Sequence, residues 1–414
     1  MMRSGEHQAS LAGRLGFWSM AIFVFSVPWE KAVLIGNLVG IGHALGILAF
    51  IMGVFAILGR GFLRPLAAPH LFLFLFILWS LLTCFWSTDS QDSADAALTL
   101  LQLAVMSLLI WNICSSQQEQ LRILRVFVMG SGVSAVATFL MFRTEQETSY
   151  QRYAAEGSDP NDLALILAIS IPISYYLSLR AAKPAAAWIY RSLIVVLISA
   201  IFLTASRTAM LATVASLIIV PLTFRTLERR DKIALACIGA ICVAVVCTTI
   251  PFFSWQRLGT TFTEIQYGDL NNRLTFWGAG WRLFVTHPLQ GVGVGAFARL
   301  ATSLVGNGDR PMVAHNTYLS VLAETGFVGF LLFFSFLASL VISTRELPLQ
   351  QRALWRSVLL TWGVGVLALS WENRKPTWLI FSLVLVQCAS AVQARCQRTC
   401  LAEHLDVRVG GFAR

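Results

Sequence analysis

The chain has 414 residues, of which 57% are hydrophobic and only 13% charged, with mean hydropathy +0.69. A soluble domain carries about 25% charge, so a water-soluble fold is excluded. A bilayer core needs ~20 consecutive apolar residues per helix, and about a dozen such runs follow one another here. The formal net charge of +10 then reads as a topology signal rather than a nucleic-acid footprint.

In chain order the apolar runs fall at 15–29, 32–58, 68–88, 95–114, 121–142, 162–179, 187–204, 208–224, 233–253, 317–343, 354–371 and 377–393. The expected architecture is an all-α polytopic membrane protein of about 12 transmembrane helices. Helices 1–9 occupy 1–253, a large loop 254–316, helices 10–12 occupy 317–393, and a basic tail 394–414. The first run is short. The pair 187–204 and 208–224 is too long for one crossing and divides at Ser206-Arg207. No small-residue cleavage site follows the first run, so no cleavable signal peptide is expected. Cys84, Cys114, Cys237, Cys242, Cys247 and Cys388 lie in or beside apolar runs, as small hydrophobes do. Cys396, Cys400 and His404 are too few for a metal site. No metal is expected, and no cofactor.

An even number of spans puts both termini on one side. Of the 31 basic residues, 20 fall in the loops on that side, while 14 of the 21 acids fall in the other set. The positive-inside rule makes the basic side, and both termini, cytoplasmic. The outward segments are then 143–161, the turn at Ser206-Arg207, the loop 254–316 and 372–376. A compact chain avoids long structureless loops. Leu274, Trp277, Trp281 and Phe284 recur at helical spacing, which predicts short amphipathic helices within 271–300, lying along the membrane surface.

The stretch from Asn271 to Gly329 is the longest polar interruption, and it gathers the residues that carry chemistry. Arg207, in FLTASRTAMLATV, is an outward cation in apolar surroundings, which points to function, the alternative being a side chain that snorkels to the outer interface. Ser206 can cap the following helix, making the turn a phosphate cradle. Arg273 offers a guanidinium fork matched to phosphate oxygens, with Asp269 as its alternative partner. His315 precedes a new apolar helix and titrates near neutrality, so it can accept a proton from a sugar hydroxyl. The competing reading of His315 is a simple helix cap. Asn316 and Tyr318 could orient His315 or the substrate. His287, before Pro288, reads as structural. Asp159-Pro160-Asn161-Asp162 is a helix N-cap signature, which explains it structurally; Arg152, Asp159, Asn161 and Asp162 could also hold sugar hydroxyls or orient an arginine, with Trp277 alongside. Glu324, nine residues past His315 on the helix that follows it, needs a partner if buried, either a site arginine or a neighbouring helix. Gly326 and Gly329 allow close helix packing. Gly291, Gly293 and Gly295 follow no strand and do not form a dinucleotide fingerprint.

Taken together, Ser206-Arg207, Arg273 with Trp277 and Gly280, His287-Pro288-Leu289 with Gly291-Val292-Gly293, and His315-Asn316 with Tyr318, Glu324, Gly326 and Gly329 resemble the O-antigen ligase/polymerase superfamily. Asp159-Pro160-Asn161-Asp162 is similar to a further segment of that family. The resemblance covers about 159–329. It implies a metal-independent, inverting glycosyltransferase at the periplasmic face of the bacterial inner membrane. The donor would be a polyprenyl-diphosphate-linked glycan, and the acceptor lipid A-core or a growing glycan. Arg207 and Arg273 would hold the diphosphate, and His315 would activate the acceptor hydroxyl. A ligase, as in lipopolysaccharide biosynthesis, is preferred over a polymerase of repeat units. A flippase for a lipid-linked glycan and a membrane scaffold are the readings from other classes. Membrane lipids are expected partners; nucleic acid is not.

Overall fold

The computed structural model describes residues 11–31, 34–35, 39–148, 152–260, 272–306 and 311–410, with 263, 266, 268 and 270 between. Asp269, expected as a partner of Arg273, and Asn271 lie outside the described residues. The described chain is almost wholly helical. The helices are α1 (Leu11–Ser26), α2 (Ile41–Arg60), α3 (Ala68–Leu82), α4 (Ser90–Ile113), α5 (Gln117–Arg143), α6 (Pro160–Leu179), α7 (Pro184–Leu203) and α8 (Arg207–Ser216). There follow α9 (Ile219–Thr223), α10 (Arg229–Thr249), α11 (Phe252–Gly259), α12 (Arg273–Thr286), α13 (Phe297–Val305), α14 (Thr317–Ser343), α15 (Leu349–Gly365) and α16 (Lys375–Gly410).

The helix starts follow from their side chains. Asp159 accepts from the backbone N–H of Asn161 at 2.8 Å and of Asp162 at 3.0 Å, and Pro160 takes the first helical position, where no donor is needed. Ser116 and Glu119 close a reciprocal capping box on α5. Asp89, Ser206 and Asn316 cap α4, α8 and α14. Each such cap stabilises its helix by about 1 kcal/mol.

The helix that Asp159 starts becomes the axis of the bundle. The most apolar stretch of α6 is 89% buried, against 17% in α10 and 22% in α2. A helix apolar on all sides is at home either in a protein core or in lipid. α6 is the first case, packed by α5, α7, α8 and α15; α10 and α2 are the second.

Among the described residues, ten helices are long and apolar enough to cross a membrane. Two of the expected twelve fall short. α1 has 16 residues, about 24 Å of helix against the ~30 Å of a hydrocarbon core. α15 has 17 residues and carries Arg352 and Arg356. The run expected at 32–58 becomes helical only at Ile41; before it, Leu34–Ile35 pairs antiparallel with Val39–Gly40. The division at Ser206-Arg207 falls where it was expected, between α7 and α8.

The expected short helices of the large loop are α12 and α13. Of the apolar stripe read from the sequence, Leu274 and Trp281 are exposed and Trp277 and Phe284 half-buried, whereas Phe276, Ala279, Gly280 and Leu283 on the adjacent face are buried. This adjacent face packs with Val292, Phe297, Ala301, Ala314 and Ala323 into a small core of its own. α14 supplies the partner surface, so the helical period alone could not choose between two apolar stripes.

The loops preceding α2, α4, α6, α8 and α16 meet at one end of the bundle, together with α11–α13 and the start of α14. Lys375 pairs with Glu30 at 2.6 Å, Tyr153 N–H donates to Leu203 O at 3.1 Å, and Val294 N–H donates to Thr83 Oγ1 at 2.9 Å. We refer to this as the polar end.

Candidate active site

The platform of the polar end is a break in α14. Gly326 has φ 65° and ψ −170°, a conformation open to glycine alone, so the helix stops being continuous there. The backbone groups freed by the break are taken by the segment 288–293. Phe327 N–H donates to Pro288 O at 2.8 Å, Val292 N–H to Ala323 O at 3.0 Å and Gly293 N–H to Glu324 O at 3.0 Å. Trp79 Nε1 closes the set on Thr325 O at 2.8 Å. Non-helical backbone at membrane depth is tolerated only when its polar groups are satisfied within the protein, and here they are. Gly291 packs so closely that a Cβ would collide with the Glu324 carbonyl; one at Gly326 would collide with Leu289 O. The expectation that Gly326 serves helix packing is thus replaced by backbone–backbone docking.

Glu324 finds its partner here, and it is not an arginine. Its carboxylate accepts from the backbone N–H of Phe297 at 3.4 Å and from Gly295. These groups lie at the start of α13, where the helix dipole favours negative charge.

Around this platform four guanidiniums and one imidazole come together from separate segments. Arg152 precedes α6, Arg207 begins α8, Arg257 lies on α11, Arg273 begins α12 and His315 precedes α14. Arg207, Arg257 and Arg273 all act on the charge of Arg152, and Arg207 acts on that of Arg273, with Asp159 beside both. Burial pushes the Arg152 guanidinium down to about 10, and the neighbouring cations of Arg257, Arg273 and Arg207 add to that, Asp159 opposing them. Arg273 is lowered by burial first and by Arg207 second, again against Asp159. His315 is lowered by burial and by Arg273, while Asp159 and Asp162 raise it. An anion entering the cluster would meet an excess of positive charge already assembled and partly dehydrated.

The individual contacts separate framework from site. Arg152 is 8% exposed and spends its donors on the protein: Nε to Thr204 O and Nη2 to Asn161 Oδ1, both 2.8 Å. Ser206 Oγ donates to the same Asn161 Oδ1 at 2.9 Å. These bonds lock the turn before α8 onto the start of α6. Arg207 reaches across to α11, with Nε donating to Arg257 O at 3.1 Å and Nη2 to Thr260 Oγ1 at 2.8 Å. Trp277 Nε1 donates to Ala314 O at 3.0 Å, fixing the residue before His315.

His315 does not cap α14; Asn316 does, its side-chain oxygen accepting from Leu319 N–H at 3.1 Å. His315 has φ 47°. Ala205 (φ 47°), before the Ser206-Arg207 turn, and Asn272 (φ 64°), before Arg273, share this left-handed conformation. Each costs of order 1–3 kcal/mol, a strain that clusters at functional sites. Tyr318 lies away from the cluster, donating from its hydroxyl to Gly363 O at 3.1 Å and stacking on Phe334. His287 sits exposed at the end of α12, beside Thr286.

Arg257 was not among the residues singled out from the sequence as site groups. Arg257 carried the same signal as Arg207, a cation on the outward side. That signal also marks Arg299, which pairs with Asp89 and Asp92, and Arg374, which approaches Asp162. Only the packing distinguishes them.

Residues 192–334 match the family model Wzy_C, described as O-antigen ligase. Over this segment, about a third of the chain, the protein is similar to the O-antigen ligase family. The match contains Arg207, Arg257, Arg273, Trp277, His315, Asn316, Tyr318 and Glu324; Arg152, Asp159 and Asn161 lie before it. No curated protein matches the chain.

Proposed function

We propose that this multi-pass membrane protein is a glycosyltransferase that moves a glycan from a polyprenyl diphosphate to an acceptor hydroxyl at the outer face of the bacterial inner membrane. The observation that carries the reading is the convergence of Arg152, Arg207, Arg257 and Arg273 with His315 at one end of the bundle. In this reading α1 and α15 complete twelve crossings, both termini are cytoplasmic and the polar end is periplasmic.

The chemistry assigns each group a task. Arg207, Arg257 and Arg273 receive the diphosphate, while Arg152 and Asn161 hold the wall against which they are set. The neutral His315 imidazole accepts the proton of the acceptor hydroxyl. The acceptor oxygen bonds the anomeric carbon, and the carbon–oxygen bond to the diphosphate breaks on the opposite face. This single displacement inverts the anomeric centre. Negative charge develops on the departing diphosphate among guanidiniums already in place, where stabilisation costs no reorganisation. Asp159 and Asp162 favour the imidazolium as it forms. No step calls for a metal, so purified enzyme is expected to keep its rate in a chelator; loss with recovery on added divalent ion overturns that.

The test is a glycolipid profile of cells lacking the gene, complemented with wild type or His315→Ala at matched protein level. A ligase strands finished polymer on its polyprenyl carrier, and His315→Ala does not rescue. Accumulation of single repeat units makes the enzyme a polymerase instead. Full rescue by His315→Ala removes the base and favours transport of the same lipid-linked glycan.

A further inference from the structure

Beside the arginine cluster, on the other side of Asp159, lies a cavity of about 520 Å³. The loop after α1, the start of α6 and the loop before α16 enclose it. Its floor is fixed from within. Trp371 is 1% exposed and donates from Nε1 to Asp162 Oδ1 at 2.8 Å, and Trp371 N–H donates to Thr317 Oγ1 at 2.7 Å. This chain of bonds ties the cavity to the first residues of α14, two positions past His315.

Its polar groups alternate in sign. Asp159, Asp162 and Glu30 face it, as do Lys31, Arg374 and Lys375. Lys375 is held by Glu30 at 2.6 Å. Lys31 and Arg374 each stand 3.6 Å from Asp162 and are 42% and 49% exposed, too loose for hydrogen bonds to the carboxylate and open to a ligand. Asn373 also lines the cavity, and its Oδ1 is buried with no hydrogen-bond partner among the described residues. A buried acceptor of this kind is stabilised by a hydrogen-bond donor, which a hydroxyl entering the cavity can supply.

We propose that this cavity is the acceptor subsite, and that it takes the terminal residue of a neutral glycan. A sugar hydroxyl both donates and accepts, matching a lining in which carboxylates and cations balance. A phosphorylated or acidic sugar would meet Glu30, Asp159 and Asp162 at close range. Asp159 is shared with the arginine cluster, and Asp159 and Asp162 both act on the His315 charge, so an acceptor seated here has its reacting hydroxyl on the side of the base. The assignment rests on the transferase reading, which supplies the need for a second substrate.

The experiment is saturation-transfer NMR on the full chain in lipid nanodiscs, free of glycoside detergent. The probes are lactose, cellobiose and N,N′-diacetylchitobiose, with glucose 6-phosphate as the anionic comparison. Wild type is expected to transfer saturation to at least one neutral disaccharide, and Asn373→Ala to lower that transfer at least fivefold. Lys31→Ala/Arg374→Ala, altering exposed side chains that the fold does not depend on, is expected to do the same. Absence of signal from every neutral sugar, or a stronger signal from glucose 6-phosphate, overturns the proposal. A steady-state assay separates it from the transferase reading. Asn373→Ala should raise KM for the acceptor about tenfold and leave KM for the polyprenyl donor unchanged. A raised donor KM, or no change in either, overturns the subsite while the transferase reading stands. Absence of transfer by wild type removes the transferase reading, and the NMR result then decides the sugar site by itself.

Discussion

The two ends of the bundle use the same residue type in opposite ways. At the end away from the cluster, arginines are matched one to one or lean on carbonyls. Arg191 pairs with Asp231, Arg395 with Glu346 at 2.7 Å, and Arg60 donates to Asn112 O at 2.6 Å. At the polar end, Arg152 and Arg273 stand near Asp159 with Arg207 and Arg257 beside them, and Arg207 donates to the Arg257 carbonyl. By composition only the first end is basic: of the 31 basic and 21 acidic residues, 20 and 7 fall in its loops, against 11 and 14 on the side of the polar end. The cations of the polar end are therefore gathered locally by the fold. The difference teaches that net charge locates the ends of a membrane bundle, whereas local convergence of like charges locates a candidate site.

Breaking this contrast at the polar end should have the largest effect. His315→Ala is expected to lower transfer by ~10²–10⁴ with the protein still folded, read as turnover with a defined polyprenyl-diphosphate donor. A loss below tenfold rules out proton transfer through His315. Arg257→Ala tests whether the fourth guanidinium belongs to the cluster. Losing a hydrogen bond to a charged group costs ~1.5–3 kcal/mol, so donor affinity should fall by about 10- to 100-fold, with little change for the acceptor. An unaltered donor affinity leaves Arg257 as framework for α11.

Gly326→Ala addresses the platform instead of the charges. The left-handed backbone alone costs about 1–3 kcal/mol for a residue with a Cβ, and the collision with Leu289 O adds to it. The expected outcome is a lower midpoint of thermal unfolding. An unchanged midpoint means the helix can run straight through 326.

The pH profile sharpens the role of the imidazole. Burial and Arg273 hold His315 below the ordinary histidine value of ~6.5. The base works neutral, so the rate should stay level through pH 7 and fall only below ~6.5 as the ring protonates. An acid limb centred above 7 requires a raised pKa and contradicts the cluster. At the opposite end, Arg395→Ala removes an exposed pair. Stability should move by no more than about 0.5 kcal/mol and transfer should not change.

Much of the site was legible in the sequence because polar residues in an apolar chain have few reasons to exist. Arg207, Arg273 and His315 stood out by that test, and Asp159 by its capping pattern. Arg257 did not, since its signal is shared by Arg299 and Arg374, and nothing local says which cations converge. Tyr318 stood near His315 in sequence, yet its hydroxyl bonds the Gly363 carbonyl on α15. Neighbours on a helix need not share a face. The break at Gly326 was hidden because the apolar pattern runs through it unbroken; the glycine that permits the break and those of 291–295 that fill it are far apart in the chain.

By itself the sequence determined that the chain is a bundle of apolar helices, with the caps at Asp159 and Ser206 marking where two of them start, because hydrophobic length and caps are local properties. Only the tertiary structure decided which stripe of α12 is buried, what Glu324 binds and which four arginines meet. Those depend on segments far apart in the chain approaching to hydrogen-bonding distance, and no local pattern encodes that approach.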